Sequence, residues 1–160
     1  MSVITLFNAL HCNEELIVPQ LVEKTGYRLI KDAEVVAQAS RLSGLAPDRV
    51  NRAFVAKASL FNPFTHEKER SIAYLRLAVA EILAQGNLVV TGFCSHFIPA
   101  SITHALRICL VAEMNYRLQV AQSQPTPDKD ALKTMHKSQE DNSAWTMQLL
   151  GKAAPWDPAL

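Results

Sequence analysis

The chain has 160 residues, 49% of them apolar and 19% charged, the make-up of one globular domain with a sizeable core. A formal net charge of +1 gives no electrostatic reason to expect nucleic acid or an anionic membrane as partner. No apolar run is long enough to span a bilayer, no secretory leader is readable, and Cys12, Cys94 and Cys109 are too few for a disulfide scaffold, so a reducing cytoplasm is the expected setting.

Val3, Ile4, Thr5 and Leu6 read as a short buried strand. The polar turn His11-Cys12-Asn13 follows, and then helical apolar spacing at Leu16, Ile17, Leu21 and Val22. Asn13 stands as the N-cap, with Glu14 and Glu15 in the first turn. Pro19 should kink this helix and Gly26 should end it. Asp32 is placed to cap a second helix that Gly44 closes, and Pro47-Asp48 opens a short helical segment through Phe54. Residues 59–66 read as a loop, with Phe61 and Phe64 on either side of Pro63.

The longest helical pattern spans about 67–84. Ile72, Leu75, Val79, Ile82 and Leu83 form its apolar stripe, and Glu69, Arg70, Arg76 and Glu81 lie elsewhere. Residues 87–91 form a second apolar strand closed by Gly92, and the loop F-C-S-H-F-I-P follows. Residues 107–111 read as a third strand and 113–122 as a short helix. Pro125 and Pro127 then break the chain. The charges Lys133, Lys137, Glu140 and Asp141, with sparse apolar positions between them, predict an exposed, mobile helix pair over 128–150. Strands separated by helices predict an α/β domain built on a parallel sheet with helical crossovers.

Residues 3–27 resemble the opening of the cytidylate kinase-like family, which has a nucleoside monophosphate kinase fold. V-I-T-L takes the strand, H-C-N-E the glycine-rich phosphate turn, and T-G-Y the helix end. The resemblance continues at Asp32, at G-N-L-V-V-T-G, at L-R-I-C-L-V-A and at Tyr116-Arg117, where the lid helix would start. It ends on E-D-N-S-A-W and W-D-P-A-L. It implies a three-layer parallel sheet of the P-loop nucleoside monophosphate kinase type with a helical lid near the C-terminus. It also implies a single domain over residues 1–160, either without the family's final strand and helix or as the first domain of a longer protein. For an active member it implies ATP and Mg²⁺ as cofactors.

The departures from that pattern bear on function. A phosphate turn needs small residues, so that backbone N–H groups can approach the oxygens, and usually a cation beside them. Here the matching positions carry His11, Cys12, Asn13 and Glu14, and Glu14 and Glu15 stand where phosphate charge would lie. The arginine expected after the V-V-x-G strand is Phe93, and the arginine of the lid's D-x-x-R is Ala144. Phosphoryl transfer is almost entirely positioning and charge stabilisation, so these losses together should remove the chemistry. Arg117 remains, but one arginine does not rebuild the site.

The expected function is therefore a non-catalytic, kinase-like regulatory or sensory module that binds a small ligand or a protein partner. A divergent ATP-dependent nucleotide or small-molecule kinase is the alternative. No residue is assigned a catalytic role, and the ligand-binding candidates are Asn8, His11, Cys12, Asn13, Cys94, His96 and Arg117. If the first and second apolar strands are neighbours, His11, Cys12, Cys94 and His96 leave adjacent strand ends. That grouping opens a further alternative: a soft-metal site, a haem contact, or a redox pair between Cys12 and Cys94. Against it stands the plainer reading, in which bulky residues fill an abandoned pocket. A homodimer through the lid helices is a weaker option. Cys109 reads as a core cysteine, His66 and His104 as surface or capping residues, and Trp145 and Trp156 as packing for the last helix or a domain junction. No strained serine turn of the G-x-S-x-G type is present.

Overall fold

The computed structural model describes residues 2–55, 66–126 and 128–151. The expected loop with Phe61, Pro63 and Phe64 lies outside the described residues, as do Trp156 and the W-D-P-A-L segment. The elements run β1 (Val3–Asn8), α1 (Glu14–Thr25), β2 (Arg28–Ile30), α2 (Asp32–Ser43), α3 (Pro47–Asn51) and a 3-10 turn (Arg52–Phe54). They continue with α4 (Glu67–Leu83), β3 (Leu88–Thr91), a second 3-10 turn (Phe93–Phe97), β4 (Ala105–Leu110), α5 (Met114–Ser123) and α6 (Ala131–Leu150).

The four strands lie in the order β2-β3-β1-β4, and every pairing is parallel. Val3 pairs with Leu88 on one side and with Ala105 on the other, so β1 sits between β3 and β4. The connection from β1 goes outward to β2, and the connection from β2 comes back to β3. Right-handed crossovers in opposite directions place α1 on one face of the sheet and α2 to α4 on the other. This is the parallel sheet with helical crossovers that the alternation of strands and helices predicts, in a three-layer α/β arrangement.

Burial follows from position in the sheet. All of β3 is buried, as expected of a central parallel strand covered on both faces. Edge strands β2 and β4 are only partly covered, and Leu106 on β4 is exposed. The main core lies under α2 and α4, where Val35, Val36, Ala39, Leu75, Ala78, Val79 and Ile82 meet Val3, Ile30, Leu88 and Val90. The predicted apolar stripe of α4 faces that core, while Glu69, Arg70, Arg76 and Glu81 are exposed. A smaller cluster joins Ala121 on α5 to Ala131 and Met135 on α6, with Leu10 packed against it.

Several elements differ from expectation. β2 is not legible in the sequence, since it has three residues and only Ile30 is fully buried, too little to show a period. Helix α1 runs through Pro19 as one element and ends at Gly26 as expected. The predicted helix pair over 128–150 is a single helix of 20 residues, with Ala131, Met135, Trp145 and Thr146 buried. A few large anchors hold it down, so its polar composition conceals a packed face. No helix among the described residues is long and apolar enough to cross a membrane.

Candidate functional site

The turns that leave β1, β3 and β4 share the carboxyl end of the sheet, where open α/β sheets bind ligands. In the turn after β1, His11 and Asn13 have left-handed backbones, with φ of 61° and 56°. For a residue with a side chain this conformation costs roughly 1–2 kcal/mol, less for asparagine. The turn thus keeps a glycine-like path without glycine. Asn13 occupies the N-cap position of α1 but caps nothing with its side chain. A capping residue normally has an extended backbone, and the left-handed one redirects this amide, whose Nδ2 donates to Tyr116 Oη at 2.6 Å.

The turn is held from the β4 side. Ala9 N–H donates to the Leu110 carbonyl at 3.0 Å, and Arg117 Nε donates to the Leu10 carbonyl at 2.7 Å. The Cys12 thiol points at the same carbonyl at 3.9 Å. Burial raises its pKa against the lowering pull of Arg117. Asn8 Nδ2 bonds only to the adjacent Ala9 carbonyl among the described residues.

The turn after β3 is organised by Asp32. Its carboxylate accepts the backbone N–H of Phe93 at 3.0 Å and of Cys94 at 2.8 Å. The sequence places Asp32 as the cap of α2, but it is the first residue of that helix, and its side chain caps the neighbouring 3-10 turn instead. Gly92, at φ 94°, makes room for it, because an added Cβ would collide with the Asp32 carboxylate. Cys94 is fully buried, and burial followed by the Asp32 charge drives its thiol pKa far up, so it is not a thiolate.

His96 enters an aromatic cluster. Its ring lies 4.7 Å from Phe7 and 5.9 Å from Trp145, and its Nε2 is buried without a partner among the described residues. Burial pushes its pKa down to about 4. Phe93 lies 4.9 Å from Trp145, 5.5 Å from Phe7 and 5.7 Å from Phe54. Trp145 Nε1 donates to the Ala53 carbonyl at 2.9 Å. The crevice beyond β1 and β3 is thus filled by rings from both sides.

These positions divide the predicted cysteine–histidine group. Cys12 lies close enough to Cys109 to raise that thiol's pKa as a secondary effect after burial, whereas Cys94 faces Asp32. Among the described residues no three histidine, cysteine, aspartate or glutamate side chains are placed to hold a metal ion, and all three cysteines are free. Metal ligands must converge on one point, and here the two turns send their side chains to different partners.

What remains open is a cleft of about 190 Å³ between the turn after β1 and helix α6, lined by Leu10, Arg117, Met135, Ser138, Gln139 and Asn142, among others. Arg117 is buried, with 8% of its surface exposed. Apart from its Nε bond to Leu10, no hydrogen bond or ion pair ties its guanidinium to the described residues. Sequence reasoning nominates Arg117 but not the α6 residues that face it across the cleft. Their signal was the spacing of 135, 138, 139 and 142, one face of a helix.

Comparison with known proteins agrees with this architecture. The profile of the cytidylate kinase-like family matches residues 3–160. The chain belongs to that family. The crystal structure of an uncharacterized protein from Eubacterium ventriosum ATCC 27560 superposes on this family member with a TM-score of 0.68 at 14% identity, covering 99% of this chain and 84% of that one. Two further likenesses are fainter. Shikimate kinase from Acinetobacter baumannii in complex with shikimate has a TM-score of 0.43 at 10% identity, covering 86% of this chain and 73% of that one. TT1252 from Thermus thermophilus has a TM-score of 0.48 at 13% identity, covering 86% and 79%. No curated protein matches by sequence.

Family and fold are thus kinase-like, but the residues do not fit a magnesium nucleoside triphosphate. The turn has no lysine, the helix behind it begins with Glu14 and Glu15, and side chains stand where backbone should meet phosphate.

Proposed function

We propose that this cytidylate kinase-like chain is a non-catalytic module that binds a small ligand or a protein partner and serves regulation. The observation that carries the reading is the filled crevice: Phe93 and Trp145 pack face to edge beside Phe7 and His96 at the carboxyl end of the sheet, where open α/β sheets bind ligands. Losing the turn's lysine and glycines removes charge stabilisation, and the rings remove the space. The test is ADP release from Mg-ATP with a panel of nucleoside monophosphates, and no turnover above a protein-free control is expected.

One observation favours the second reading, a divergent kinase. His11 and Asn13 keep the left-handed backbone from which anion-binding turns are built. The same assay decides, since turnover abolished by Arg117→Ala would replace the first reading with the second.

A further inference from the structure

We infer that the cleft between the turn after β1 and helix α6 is a binding site for a compact oxyanion, a small carboxylate or phosphomonoester bearing hydroxyl groups, rather than for a nucleotide. The inference rests on the non-catalytic, ligand-binding reading and names the ligand class for it. The first observation is Arg117. A buried charge without a counter-charge is expensive to keep, and Arg117 as a whole residue is 8% exposed, with no carboxylate within ion-pair distance among the described residues. Its Nε is fixed by the Leu10 carbonyl, which leaves a planar fork of N–H donors in a set orientation, suited to two oxygens of one anion.

The second observation is the opposite wall. Ser138, Gln139 and Asn142 present neutral hydrogen-bonding groups from one face of α6. Among the described residues none of these side chains has another hydrogen-bond partner. Uncharged donors and acceptors suit hydroxyl groups and leave the single cation to balance the anion. The third is size. About 190 Å³ falls below the roughly 300–1,000 Å³ of pockets for drug-sized ligands, too little for a nucleoside triphosphate. The residues that make the site come from α5, α6, the β1 turn and just past the end of β4, and not from the glutamate-bearing start of α1.

The test is isothermal titration of the full chain with glycerol phosphate, glycerate and Mg-ATP in separate runs. Saturable one-to-one binding of glycerol phosphate or glycerate is expected, and the arm that binds tells phosphate from carboxylate. Affinity should fall about three- to tenfold in Asn142→Leu, the loss of a hydrogen bond between neutral groups, and by more than about tenfold in Arg117→Ala, the loss of a hydrogen bond to a charged group. If Arg117→Ala does not fold, Asn142→Leu decides. No saturable binding of either small oxyanion at millimolar concentration overturns the inference, as does binding that Asn142→Leu leaves unchanged. Mg-ATP binding that depends on Arg117 without ADP release also overturns it, yet leaves the non-catalytic reading standing. ADP release alone removes that reading.

Discussion

Asp32 starts α2 and at the same time accepts two backbone N–H groups from the turn after β3. Charge-assisted bonds of this kind contribute about 1.5–3 kcal/mol each, and their loss would leave both donors without a partner. Asp32→Ala should therefore lower the unfolding free energy by about 3 kcal/mol, read from urea denaturation. Gly92 is the complementary residue, its φ of 94° and ψ of −160° lying in a region open almost only to glycine. Backbone strain together with the clash should make Gly92→Ala cost roughly 2–4 kcal/mol. Since the clash is with Asp32 itself, the double variant should lose less than the two single losses added. At the β1 turn, His11→Gly relieves a left-handed histidine and should be neutral or stabilising by up to about 1 kcal/mol, whereas His11→Val should destabilise by about 1–2 kcal/mol. The thermal midpoints of the two variants should move apart.

Helix α6 is polar over most of its surface, yet Met135 and Trp145 are buried and attach it to two different cores. Trp145 is 1% exposed, bonds to Ala53, and is ringed by Phe54, Phe93, His96 and Phe97. Trp145→Ala should cost about 3–5 kcal/mol through cavity formation. Trp145→Phe should cost less, chiefly the hydrogen bond that leaves the Ala53 carbonyl unpaired, about 1–2 kcal/mol. Equilibrium unfolding of the two variants checks the order. A Trp145→Ala protein as stable as the parent would show that α6 is not anchored there.

Across the whole molecule, His96 links stability to acidity. Its pKa lies near 4 in the folded chain because burial disfavours the imidazolium, against about 6.5 when unfolded. Between those values the unfolded chain takes up a proton that the folded chain refuses. The full stability is present above about pH 6.5, declines as the pH falls towards 4, and does not decline further on this account below it. The shift sets a ceiling of about 3 kcal/mol on the loss. Carboxylates add their own acid dependence, so the measurement is a comparison: between about pH 7 and pH 4.5, His96→Leu should lose less urea stability than the parent. Equal losses would show that His96 does not carry the dependence.

Local patterns in the chain were enough for the α/β class, the parallel sheet and the family. Strand β3 and the stripe of α4 are long and apolar enough to show their period, and the substitutions at positions 11–14, Phe93 and Ala144 are visible one residue at a time. Strand β2 was hidden because three residues hold no period, and α6 because a few buried anchors are diluted by charge. The fates of Cys94 and His96 depended on partners from distant parts of the chain: Asp32 lies 62 residues from Cys94, and His96 meets, at a tilt, Phe7 of a strand and Trp145 of a helix from opposite ends. Sequence alone left Cys12 and Cys94 as a conceivable pair, and only packing sent one towards Arg117 and the other beneath a carboxylate. The cleft at Arg117 was equally out of reach, since a cavity is space that several segments leave between them. Periodicity and residue chemistry are local and can be read along the chain. Which side chains share a dielectric, a partner or a void is settled only when the segments close on one another.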